Sequence, residues 1–132
     1  MPPATPGRSA DVLVLCALHS FGFAAFHALF WRLFGWPATL RDTTLANRAI
    51  VQIANVQLIL VFVAIGTLCL AFPRQFTSTS LGKALLASMS LFWLTRLVGQ
   101  FVWLRIDRPL VHVLTGLFAV GAVLFAIPLL VG

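Results

Sequence analysis

Several polar side chains sit where this chain is otherwise apolar, and their spacing marks them as candidates for chemistry. Arg96 lies inside the apolar run 81–104. A charged group deep in a membrane span costs about 2.5 to 3.5 kcal/mol on insertion scales, so something must satisfy it. On the run 49–72, Arg48, Gln52, Asn55 and Ile59 follow spacings of four, three and four, which places them on one helix face. Trp93, Arg96, Gln100 and Trp103 repeat the pattern on the next run, and Asp107 continues it into the loop. His27 falls between the centre of the first run and the same end, while His112 enters from the first turn of the last.

The acid–base balance suggests what such groups would hold. The chain has three acids, Asp11, Asp42 and Asp107, against nine Lys and Arg, and none of the acids lies within the apolar cores. An arginine offers a planar fork of donors that suits a carboxylate or a phosphate. The expected site is therefore an intramembrane pocket of Arg96, Gln100, His27, Gln52, Asn55, Arg48 and His112 for an anionic amphiphile or a lipid headgroup, with a transport or lipid-handling role. The rival expectation is interhelical glue, worth about 0.6 to 2 kcal/mol per contact, in an accessory or structural subunit of a larger membrane complex. Under that rival Arg96 reaches Asp107, a carbonyl or, by snorkelling, the headgroups.

A third expectation is a haem- or quinone-binding bundle, in which His27 and His112 form the axial pair. His19 is a poor member of such a pair, because it stands about 12 Å of helix rise from His27 on the same helix. No metal site is expected, since neither carboxylate nor thiolate joins the histidines. No catalytic residue is assigned: the chain lacks a Ser, His and Asp constellation, paired carboxylates, a phosphate-cradling glycine loop and a Cys-x-x-Cys pattern. Nucleic-acid binding fits badly, as the arginines are scattered singly. Gln57 lies on the face opposite Asn55, which makes it the candidate contact for a homo-oligomer or a partner membrane protein.

The elements that must position these residues follow from composition. Hydrophobic residues make up 61% of the 132 residues, charged ones 9%, and the mean hydropathy is +1.02, values outside the range of soluble domains. A helix needs about 20 apolar residues to cross the hydrocarbon core. The runs 11–34, 49–72, 81–104 and 109–131 meet that length and predict an all-α integral membrane protein, a single four-helix transmembrane bundle over 1–132. Residues 1–10 read as a short polar tail and 36–48 as an interfacial loop or short helix. The first run is longer than a signal-peptide core of about 7 to 15 residues and reads as a retained helix.

Punctuation sets the boundaries. Gly35 and Pro37 end the first run, with Trp31 and Trp36 as interfacial anchors; Pro73 closes the second; Ser78, Thr79 and Ser80 offer caps to the third. Only 105–108 separate the last two runs, with Pro109 at a first-turn position, which predicts an antiparallel hairpin. Small residues at Ser20, Ala24 and Ala28, at Ala84 and Ser88, and at Thr115, Ala119, Ala122 and Ala126 are expected packing seams. Cys16 and Cys69 read as small buried apolar residues.

Arg8, Arg74 and Lys83 flank one side, and Arg32, Arg41, Arg48, Arg105 and Arg108 the other. Basic residues favour the cytoplasmic side, so both termini are expected outside and the loops 35–48 and 105–108 inside, in a plasma or bacterial inner membrane. The net charge of +6 suits contact with anionic membrane lipids.

Overall fold

The computed structural model describes residues 6–131, which are helical apart from turns, with no strand among them. In chain order they form α1 (Pro6–Ala28), the single turn α2 (Phe30–Leu33), a 3-10 turn (Ala38–Leu40), α3 (Leu45–Ala71), the short α4 (Pro73–Ser78), α5 (Ser80–Trp103) and α6 (Pro109–Val131). Helices α1, α3, α5 and α6 are long and apolar enough to cross a membrane. The chain is thus a small all-α membrane protein with four such helices, as its composition dictates.

The ends of these helices show which local signals decide. At the start of α3, Thr44 caps: its Oγ1 accepts from the Asn47 N–H at 3.2 Å, satisfying one of the donors that a first turn leaves open. The helix therefore begins at Leu45 rather than at 49. Thr79 does the same for α5, accepting from Gly82 N at 2.9 Å while donating to the Gln75 carbonyl at 2.6 Å. Pro109 opens α6 as expected.

Two expectations at the N-terminal end need correction. The polar tail assigned to 1–10 is helical from Pro6 onward, and its residues 1–5 lie outside the described residues. The first run does not continue to 34 as one helix: α1 ends at Ala28, and the Leu29 N–H is shared between Ala25 O and Phe26 O. That sharing tightens the turn toward 3-10 geometry. α2 follows, and Gly35 at φ +66° turns the chain out of it, a conformation glycine adopts without steric cost.

The chain divides into two compact units, one ending at Cys16 and resuming at Cys69, the other Ala17–Leu68. In the second unit, α1 and α3 lie antiparallel. The Phe21 ring covers Gly66 so closely that a Cβ there would stand 2.8 Å from it, and Phe23 meets Phe62 with ring centroids 6.1 Å apart.

In the first unit, α5 and α6 form the hairpin that the short connection 104–108 requires. Trp93 stacks on Phe118 at 5.7 Å, and the Ser90 hydroxyl donates to the Ala122 carbonyl at 2.7 Å. The Cys16 thiol donates to the Leu124 carbonyl at 3.4 Å. Cys16 and Cys69 are both free and buried.

The hairpin also corrects a packing expectation. The buried face of α5 consists of Gly82, Leu86, Met89, Trp93 and Gln100, whereas Ala84 and Ser88 are exposed and the Ser88 hydroxyl bonds back to Ala84 O. Ser20 and Ala24 are buried as expected of a seam, but Ala28 is exposed. The close approach in this unit falls instead at Gly82, where a Cβ would run into the Gln75 carbonyl and the Phe76 Cα. That contact is what lets α4 fold back against α5.

Candidate functional site

The polar residues picked out by spacing fall into two sets, one in each unit, and the two sets differ in how completely they are satisfied.

In the second unit the set is a closed network. His27 sits in the last turn of α1, where backbone carbonyls run short of i+4 donors, and Asn55 Nδ2 donates to the His27 carbonyl at 2.8 Å. Asn55 is almost wholly buried, so this bond has little competition from solvent. One turn earlier on α3, Gln52 accepts from the Trp31 indole N–H at 3.1 Å and donates to the Arg48 carbonyl at 3.0 Å. The Arg48 guanidinium reaches the Arg41 carbonyl at 3.5 Å, a long and weak contact. The His27 ring has Nδ1 2.8 Å from the Phe23 carbonyl, its face stacked on Phe30 at 4.3 Å, and an edge contact with Phe62 of α3 at 5.1 Å. The Asn55–His27 and Gln52–Trp31 bonds tie α1 and its following turn to α3, while Arg48 joins α3 only to itself and to the loop before it.

The set in the first unit is built differently. Gln100 is buried and bridges the hairpin: its Nε2 donates to the Val111 carbonyl at 3.1 Å, and its Oε1 accepts from Arg96 NH1 at 3.1 Å. Arg96 lies over the Phe118 ring, its guanidinium carbon 4.5 Å from the centroid. A cation held on an aromatic face in this way is partly compensated, by about 0.5 to 2 kcal/mol. Arg96 is nonetheless exposed, and no carboxylate among the described residues approaches it. The acid expected for it is engaged elsewhere: Asp107 Oδ1 lies 2.7 Å from His112 Nε2, on side chains that are both largely exposed.

Beside Arg96 lies a recess of about 460 Å³ bounded by Phe92, Thr95, Gly99, Trp103 and Leu104. Its walls are mainly carbon, and Trp103 at its edge is 84% exposed. Arg96 stands seven residues before the end of α5, about 10 Å of helix rise, and Arg105 and Arg108 follow beyond that end. A second recess of about 350 Å³ opens around the α5–α6 connection, next to Gln100, Arg105, Asp107 and His112.

Of the expected site residues, then, His27, Arg48, Gln52 and Asn55 are gathered in one unit, and Arg96, Gln100 and His112 belong to the other. Within the second set Gln100 contacts Arg96, whereas His112 turns to Asp107. Each of the two histidines considered for haem has one ring nitrogen engaged, His27 Nδ1 by Phe23 O and His112 Nε2 by Asp107.

Phe118 and Trp31 belong to these sites and were not expected there. Phe118 was foreseeable: a hairpin turning at Ile106 opposes residues nearly equidistant from it, so Gln100 meets Val111 and Trp93 meets Phe118. Trp31 gave no such signal, since an indole near a helix end reads equally well as an interfacial anchor.

The fold and these sites define a small polytopic membrane protein with polar groups placed within its apolar helices. Comparison with family models, with curated proteins and with solved structures finds no match to this chain.

Proposed function

We propose that the protein holds an anionic amphiphile, in the first place a membrane lipid, at Arg96. One observation carries this reading: a guanidinium seated on an aromatic ring shares an N–H with an amide, meets no carboxylate among the described residues, and borders a recess walled mainly by carbon. The remaining N–H donors suit a phosphate or carboxylate, and the recess suits the apolar part next to it. Binding is the role these groups support.

The test is native mass spectrometry of gently solubilised protein, followed by titration with phosphatidylglycerol and with phosphatidylcholine. Wild type should retain the anionic lipid preferentially. Arg96→Gln should weaken that retention about tenfold or more, since a bond to a charged partner is worth about 1.5 to 3 kcal/mol, while the unliganded fold stays at least as stable. Gly99→Phe should block binding by filling the recess and leave the charge in place. Arg105→Gln, which removes a charge outside this recess, should change little. Undiminished retention by Arg96→Gln, together with a clear loss of stability, would falsify the reading.

A second reading has its own support. The bonds from Asn55 to His27 and from Trp31 to Gln52 are those of interhelical glue, as expected of an accessory or structural subunit. We assign that role to the α1–α3 set and ligand binding to Arg96. The five-to-three bias of basic residues supports insertion with both termini outside and the connections at 35–48 and 105–108 in the cytoplasm.

A further inference from the structure

Gln57 sits one residue from the middle of the 27-residue helix α3, the depth at which a membrane offers nothing to hydrogen-bond. Its side chain is exposed, and among the described residues its carboxamide has no partner. Asn55, two positions away on the same helix, is buried and bonded, so the helix places one amide inward and leaves the other outward. Around Gln57 the outward face continues through Ile50, Ala54, Val61 and Ala64, all exposed, at alternating spacings of four and three. Such a stripe with one polar member is the pattern by which a coiled-coil seam fixes its register. Small alanines on either side of that member allow close approach of a second backbone.

We infer that this face of α3 is a homodimer interface, closed by a reciprocal pair of Gln57 carboxamides across a twofold axis. The occupant is argued from chemistry. A carboxamide carries both donors and an acceptor, so two copies of Gln57 can each give one N–H to the other's oxygen, and a twofold axis brings each residue to its own equivalent. The position near mid-helix gives both copies the same depth. A lipid tail offers neither donor nor acceptor, and the stripe carries no charge to select an ionic partner. This inference is independent of the lipid reading at Arg96.

The experiment is subunit association of the full chain in lipid bilayers, read by energy transfer between labelled copies as protein is diluted into lipid. Wild type should associate, Gln57→Leu should raise the dissociation constant about tenfold or more, and Gln57→Asn should restore most of it. In an oxidative cross-linking series, Gln57→Cys should form a disulfide-linked dimer, while Val63→Cys, exposed on another face of α3, should not. The native thiols at Cys16 and Cys69 are buried and give a low background. A chain that stays monomeric at high protein-to-lipid ratio, an unchanged dissociation constant in Gln57→Leu, or equal cross-linking at positions 57 and 63 would overturn the inference. Lipid retention measured on the same variants should not move; if it is lost in wild type as well, the Arg96 reading fails and the dimer stands.

Discussion

Asn55 and Gln100 solve the same problem in the two units: each is a buried amide that leaves its own helix to reach a backbone carbonyl on a neighbour, His27 O and Val111 O respectively. In an apolar medium such a bond has no water to compete with, and removing its donor leaves the carbonyl stranded. Asn55→Leu should therefore lower the stability of the detergent-solubilised protein by about 1 to 2 kcal/mol, seen as a reduced melting temperature, without reducing lipid retention at Arg96. A melting temperature equal to wild type would mean that the bond contributes nothing net. Arg96 marks the limit of what spacing reveals about single residues. At 100° per residue, Trp93, Gln100, Arg96 and Trp103 spread over a stripe about 80° wide, and the hairpin buries one edge of it, Trp93 and Gln100, while the other edge, Arg96 and Trp103, stays exposed. The sequence thus identified the stripe but not the line that divides it.

Among the elements, the corner between α4 and α5 is the least forgiving. Thr79 is both the cap of α5 and a donor to Gln75, and Gly82 leaves room for the Gln75 carbonyl. Gly82→Ala should cost about 1 to 3 kcal/mol through overpacking, whereas Gly99→Ala, whose Cβ would meet only Trp103 at 3.5 Å, should be nearly neutral; thermal melts of the two variants side by side give the comparison. Helix limits were legible where punctuation is strong. α6 begins at Pro109 and α5 falls within one residue of expectation. They were illegible at Leu29, where no proline or glycine marks the end of α1. The buried face of α5 was misread for a related reason: the part of the helix before Trp93 carries only a weak amphipathic signal, so small residues such as Ala84 and Ser88 invite a choice that large ones, Leu86, Met89 and Trp93, in fact decide.

For the molecule as a whole, class was legible from composition alone, because four runs of spanning length leave the chain no other use for its residues. Orientation rests on eight basic residues near the span ends, and the expected outcome is definite. Reporter fusions and cysteine accessibility should place both termini outside and Arg41 and Asp107 in the cytoplasm; a uniformly cytoplasmic C-terminus would reverse the assignment. The five-residue link between α5 and α6 has a consequence for how the protein reaches this state. The contacts that compensate Arg96 are close in sequence and lie within the hairpin: Gln100 on the same helix and Phe118 on the next. Loop closure over such short spans costs little entropy, and contacts of this range form early. The arginine can therefore enter the bilayer with its partner already in place, as part of a self-contained hairpin that does not wait for the N-terminal helices. Biogenesis of the most polar part of this protein is thus built into one insertion unit.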